Sequence, residues 1–254
     1  MTDKALDLSL RAGHRERLRK NFLDGNLAKY EVLELLLSYA IPRRDVRPLA
    51  RMLFKKFGGM YPILSASIDD LCKVPGMGRN TAIFIKTIQK VMLDGYHCEA
   101  QDVNIFQNRE HFENYCKLML GGKPIEEMHV LYMDADHRLI QDQLHSIGSH
   151  NDAAIYPTEV VKQAMLLNAR FIALIHNHPR AQTSFSKEDV AVTRDVIQKL
   201  DIVGIKFYDH FVVSGGILYS MRECGLLNSY SSINTSNSLK SGISTDTDST
   251  GPES

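Results

Sequence analysis

Two histidines stand one residue apart in His176-Asn177-His178-Pro179, and Ser186 and Asp189 follow shortly after. The run before them, Arg170 to Ile175, is apolar and β-branched, which predicts a buried strand. Residues two apart on an extended chain point to the same side. Both imidazoles can therefore aim at one point, where Pro179 ends regular pairing. Two histidines and a carboxylate, with an open fourth position, are a common way to hold a catalytic zinc. His176, His178 and Asp189 are thus candidate metal ligands, and the spacing points to a metal hydrolase. A local reading competes for the same residues. Ser186-Lys187-Glu188-Asp189 also fits a capping box, with Ser186 capping a helix and Asp189 reaching back.

A second constellation is Leu71 to Ile85, which contains Val74-Pro75-Gly76-Met77-Gly78-Arg79. Gly76 and Gly78 permit a tight turn and a close backbone approach. The amides that follow lie at a helix N-terminus, where unpaired N–H groups favour a phosphate. Leu71, Val74, Ala82 and Ile85 could pack the flanking helices together, and Arg79 and Lys86 would add positive charge. The stretch resembles a helix-hairpin-helix motif, a sequence-independent binder of the DNA backbone. A plain helix connector, or a hairpin that serves protein contacts, is the alternative.

The elements that must position these residues follow from the pattern. Helices are predicted over 13–24, with Leu18 and Phe22 as apolar positions, over 28–40 and over 46–57, the last closed by Gly58-Gly59. Ser67 caps another helix, and one more covers 79–93. From about 103 the pattern changes. A helix over 109–120 precedes two strands, His129 to Asp134 and Arg138 to His145. A helix from Pro157, the strand to His176, a helix from about Ser186 to Leu200, and strands over 203–213 and 217–221 complete an α/β unit. Residues 228–254 hold almost no apolar side chains, and a disordered tail is expected.

Composition sets the bounds. The 254 residues are 44% hydrophobic and 24% charged, ordinary for a soluble globular chain, and no stretch is long and apolar enough to span a bilayer. The N-terminus carries acids and does not look like a secretory signal. Cys72, Cys98, Cys116 and Cys224 form no Cys-x-x-Cys pair and read as reduced, buried thiols of a cytoplasmic protein. The zero net charge conceals a polarity: residues 1–90 hold 17 Lys+Arg against 9 Asp+Glu, and the rest hold 13 against 21. The basic half could meet a polyanion, or it is simply a solvated face.

Residues 13–227 as a whole resemble the bacterial RadC family. The matching pieces, in order, are His14-Arg-Glu-Arg-Leu-Arg19, Tyr30 to Leu37, Ile41-Pro-Arg-Arg-Asp-Val46, the glycine hairpin, Tyr156-Pro-Thr-Glu-Val-Val161, His176-Asn-His-Pro179, Asp209-His-Phe-Val-Val213 and Arg222 to Leu227. His-x-His-Pro followed by Ser-x-x-Asp is similar to the JAMM metalloprotease signature of MPN domains. The resemblance implies an α+β chain in three parts: an all-helical helix-hairpin-helix domain (1–98), an α/β JAMM/MPN, cytidine-deaminase-like domain (103–227), and the tail (228–254). It implies Zn2+ held by His176, His178 and Asp189, a zinc-activated water, and Ser186 bonded to the oxyanion. It also implies peptide or isopeptide hydrolysis, a link to DNA repair, and DNA contacts at Gly76, Gly78, Arg79 and Lys86.

The chain departs from that pattern where the general base belongs. The glutamate of the signature aligns with Gln143, and glutamine can hold a water but cannot take its proton. Asp142 would point to the opposite face of the strand, and Glu159 is a candidate substitute, although the first turn of a helix is a common place for a merely structural glutamate. Two smaller departures are Arg180-Ala181 in place of Ser-Gly, and Gly148-Ser149 in place of Gly-Thr. Two functions follow as expectations: a zinc metallopeptidase acting on a peptide or protein, or a catalytically impaired zinc-binding adaptor for DNA or protein. His129, His145 and His210 read as strand or loop histidines.

Overall fold

The computed structural model describes residues 3–148, 156–179 and 185–227, with the backbone alone over 3–12. The order is α1 (Asp3–Leu23), α2 (Lys29–Ala40), α3 (Arg47–Phe57), α4 (Met60–Ser65), α5 (Ile68–Cys72), α6 (Arg79–Asp102), α7 (Arg109–Leu120), β1 (Glu127–Met133), β2 (Leu139–Ile147), α8 (Pro157–Leu166), β3 (Phe171–His178), α9 (Lys187–Ile202), β4 (Lys206–Ser214) and β5 (Ile217–Ser220). The described chain is a mixed α+β structure with one five-stranded sheet, ordered β2-β1-β3-β4-β5. Only the β3–β4 pair is parallel, and α9 makes its crossover.

The sheet is covered on both sides, which is why β3 is buried along nearly its whole length. Leu131, Met133, Ala173, Ile175, Phe211 and Val213 pack against α7 through Phe112, Tyr115 and Cys116. Alternate residues Met128, Val130, Tyr132, Ile172 and Leu174 pack against α8 and α9 through Val160, Ala164, Val196 and Leu200. A separate core holds the helical half, and Leu71, Val74, Ala82 and Ile85 all lie in it as their spacing predicts. Local signals set several ends. Ser67 accepts from the Asp70 amide at 3.0 Å, and Asn108 accepts from the His111 amide at 3.1 Å. Gly58 closes α3 at φ +82°.

Several expectations need correction. The Gly58-Gly59 stop is followed at once by α4, a helix not anticipated. Its Pro62 sits in the first turn, where a missing N–H costs no bond. Helix α6 does not stop at 93. It runs to Asp102 and passes through the expected boundary at 98–103, and Leu93 and Tyr96 pack against both neighbouring cores. Phe22 is 56% exposed, while its helix partner Leu18 is buried. Among the cysteines only Cys116 is buried, and Cys98 and Cys224 are exposed. The expected tail, Ser149, and Arg180-Ala181 lie outside the described residues. No described helix is long and apolar enough to cross a membrane.

Candidate metal centre

Strand β3 carries both histidines to its end, and helix α9 starts beside them. His176, His178 and Asp189 are buried, and one ligand atom from each lies within 4.8 Å of the others. The two Nε2 atoms are 2.9 Å apart. Asp189 places Oδ1 3.4 Å from His176 Nε2 and Oδ2 3.6 Å from His178 Nε2. The capping box is also present: the Ser186 amide donates to Asp189 Oδ2 at 2.7 Å, and the Asp189 amide donates to Ser186 Oγ at 3.0 Å. The two readings of Ser186-x-x-Asp189 are thus not rivals. The cap aims the carboxylate at the imidazoles. Burial works against the Asp189 charge, but the His178 and His176 imidazoles outweigh it and hold the carboxyl well below the usual range.

Behind the pair is a chain of hydrogen bonds that fixes a tautomer. The Thr193 hydroxyl donates to the Asp189 carbonyl at 2.6 Å. Its oxygen, 2.7 Å from His210 Nδ1, can then only accept from that ring. His210 Nε2 is left unprotonated and accepts from His176 Nδ1 at 2.8 Å. His176 therefore turns a lone pair toward His178 and Asp189, the tautomer that a metal ligand needs. Burial pushes His210 down to about 4, which keeps it neutral in this role. Asn177, between the ligands, faces the other way. It donates to the Ile125 carbonyl at 3.1 Å and accepts from the Glu127 amide at 2.9 Å, so it pins the entry to β1.

Strand register places Gln143 on the ligand face. It pairs with Val130, which pairs with Leu174, two residues before His176. Its Oε1 is buried with no hydrogen-bond partner among the described residues, as are Ser146 Oγ, near Met128 and His176, and Ser214 Oγ, opposite His178. Three orphaned polar atoms on the side of the histidines suit a site built around a polar ligand or water. The donor set and these atoms fit a divalent metal. Asp142 points to the other face, where the Tyr115 hydroxyl donates to one oxygen and His129 Nδ1 lies 2.7 Å from the other. Glu159 is exposed on α8, 3.9 Å from Lys162.

The hairpin residues fare differently. Gly76 takes φ +90°, and an added Cβ would come within 3.1 Å of the Arg44 guanidinium. Gly78 and Arg79 are exposed at the start of α6. Lys86 is not with them: it turns inward and donates to the Leu64 and Ser65 carbonyls at 3.0 and 3.2 Å. Burial and Lys123 push it down to about 8. The three ligand candidates and Gln143 come to one face, whereas the four hairpin residues do not form one surface. Sequence reasoning places His210 only as a strand or loop histidine, without its contact to His176, and does not single out Thr193. The one signal was a histidine inside an apolar strand, Asp209-His210-Phe211-Val212-Val213.

The family described as RadC-like JAB domain matches residues 106–226. A UPF0758 protein of Fusobacterium nucleatum subsp. nucleatum is 31% identical over 225 residues, 85% of this chain and 97% of the relative. A UPF0758 protein of Ruegeria pomeroyi is 31% identical over 217 residues, 84% of this chain and 97% of the relative.

Proposed function

The chain belongs to the RadC family and carries its JAB domain, and on that premise we propose a zinc-binding protein of the JAMM metallopeptidase type with weak peptide or isopeptide hydrolysis. The observation that carries this reading is the buried convergence of His176, His178 and Asp189. Zinc bound there would polarise a substrate carbonyl and acidify a water. His210 and Thr193 hold the His176 tautomer, and the Ser186 cap aims Asp189. Gln143 Oε1 can accept a hydrogen bond from a water and so orient it, but it cannot carry the proton away. A general base contributes about 10²–10⁴ in rate, which is the deficit expected here.

The same glutamine favours a second reading, a metal-binding adaptor with no turnover. The two are separated by loading wild type and Gln143→Glu with zinc and following hydrolysis of an isopeptide-linked fluorogenic substrate. The proposal expects slow turnover in wild type and a gain of about 10²-fold or more in the variant. Equal rates would refute the missing-base account, and no turnover in either would favour the adaptor. DNA as a partner of the exposed Gly76–Arg79 hairpin, and with it a repair role, is part of the same proposal and is tested by salt dependence.

A further inference from the structure

A pocket of about 610 Å³ lies between the C-terminal turns of α6, the 103–108 connection and the first turns of α7. It is on the α7 side of the sheet, opposite the histidines, and so is separate from the metal centre. Its volume falls within the roughly 300–1,000 Å³ of small-molecule clefts. Ala100, Ile105, Phe112 and Tyr115 give it a buried, largely apolar floor. The Tyr115 hydroxyl is spent on Asp142, so this residue offers the pocket its ring. Tyr96 meets the His111 and Tyr115 rings edge-on, at 6.1 and 6.5 Å between centroids.

The lining is negative. Arg109, its one arginine or lysine among the described residues, is bonded to Glu223 through both terminal nitrogens and to Glu113 through Nε at 3.1 Å. Glu99 and Glu110 remain. Glu99 lies 3.2 Å from His111 Nδ1, but both side chains are about half exposed, which makes the pair weak. Glu99 also stands in the last turn of α6, which holds no basic residue. The C-terminal end of a helix dipole disfavours a carboxylate and attracts a cation. Carboxylate and dipole therefore add on this wall, and aromatic ring faces attract a cation as well. The N-terminal end of α7 works the other way. There Asn108 already accepts from the His111 amide at 3.1 Å, and Glu110 occupies the first turn.

We propose that this pocket binds a small organic ammonium ion, with its charge at Glu99 and the end of α6 and its apolar body against Phe112 and Tyr115. The ligand displaces His111 as the partner of Glu99. An anion meets two carboxylates there, and a neutral molecule gains nothing from them. The test uses the full chain and three probes that share one ring: phenethylamine, which is protonated at neutral pH, the uncharged phenethyl alcohol, and the anion hydrocinnamate. Saturation-transfer NMR and calorimetric titration should show saturable binding of the amine, about five-fold or more tighter than the alcohol, and no binding of the anion.

Val103→Trp puts a large ring at a 42% exposed position of the lining and should abolish binding of the amine. Glu99→Gln keeps the shape of the pocket. It should weaken the amine about three-fold or more and leave the alcohol unchanged, a split that a damaged fold would not produce. Ile202→Glu, at an 83% exposed position on α9, should bind as wild type does. No saturable binding of the amine at millimolar concentration, equal binding of the alcohol or the anion, or unchanged amine affinity in Val103→Trp or Glu99→Gln would overturn the proposal.

Discussion

Thr193 has one hydroxyl proton, and its destination decides which nitrogen of His176 faces the metal centre. The proton goes to the Asp189 carbonyl, and the rest of the chain through His210 follows. Loss of such an outer partner costs about 10–100-fold in metal affinity. We therefore expect His210→Phe to weaken zinc binding by that order in a chelator competition, with His210→Gln restoring part of it through an amide oxygen that can accept from His176 Nδ1. Equal affinity in wild type and His210→Phe would remove the tautomer argument. At this scale the convergence of His176, His178 and Asp189 was legible because metal chemistry restricts residue type and spacing within fourteen positions of sequence. His210 and Thr193 were not. Their contacts span 34 and 17 residues, and a single histidine in an apolar strand has no local mark of a partner.

Elements carry these residues, and their ends decide the outcome. The start of α9 is both a helix cap and the mount of the proposed metal ligand Asp189, because one carboxylate oxygen accepts from the Ser186 amide and both approach the imidazoles. The α5–α6 hairpin divides the residues proposed for DNA. Arg79 is exposed, whereas Lys86 is spent on the last carbonyls of α4. Arg79→Glu should weaken binding to duplex DNA and reduce the salt slope, while Lys86→Met should leave that slope unchanged and destabilise the fold by about 1–3 kcal/mol. Salt titrations and urea unfolding of both variants check this. A flatter salt slope in Lys86→Met would contradict the placement of its ammonium. The strands and most helices were legible from periodicity and punctuation. Helix α4 was hidden by its six-residue length and its proline, and the true end of α6 was hidden by a mixed polar face.

The whole molecule is tied across its middle. Leu118 of α7 belongs to the helical core, and Gln89 of α6 donates to its carbonyl at 2.6 Å. The halves should therefore unfold in one calorimetric transition, and two separated transitions would contradict this coupling. The sheet face opposite the ligands adds a pH dependence. Burial pushes His129 down, but Asp142 and Glu127 overcome it and raise the imidazole to about 9. A folded value above the unfolded 6.5 means that this stabilisation is complete below about pH 6.5 and is lost as pH rises through 9. In urea unfolding of metal-free protein, the stability advantage of wild type over His129→Gln should shrink by up to about 3 kcal/mol between pH 6 and pH 9.5, a comparison in which the opposing gain from Lys86, held down to about 8, cancels. The opposite charges of the two halves were readable in the sequence, but this buried cluster was not, because β1, β2 and α7 meet only in the fold. All of the proposed chemistry rests on three side chains holding one ion. The most direct test is the zinc content of the protein after zinc loading and exhaustive dialysis. The account predicts about one zinc per chain in wild type and little or none in His176→Ala or Asp189→Asn; a zinc-free wild type, or full zinc content in both variants, would contradict it.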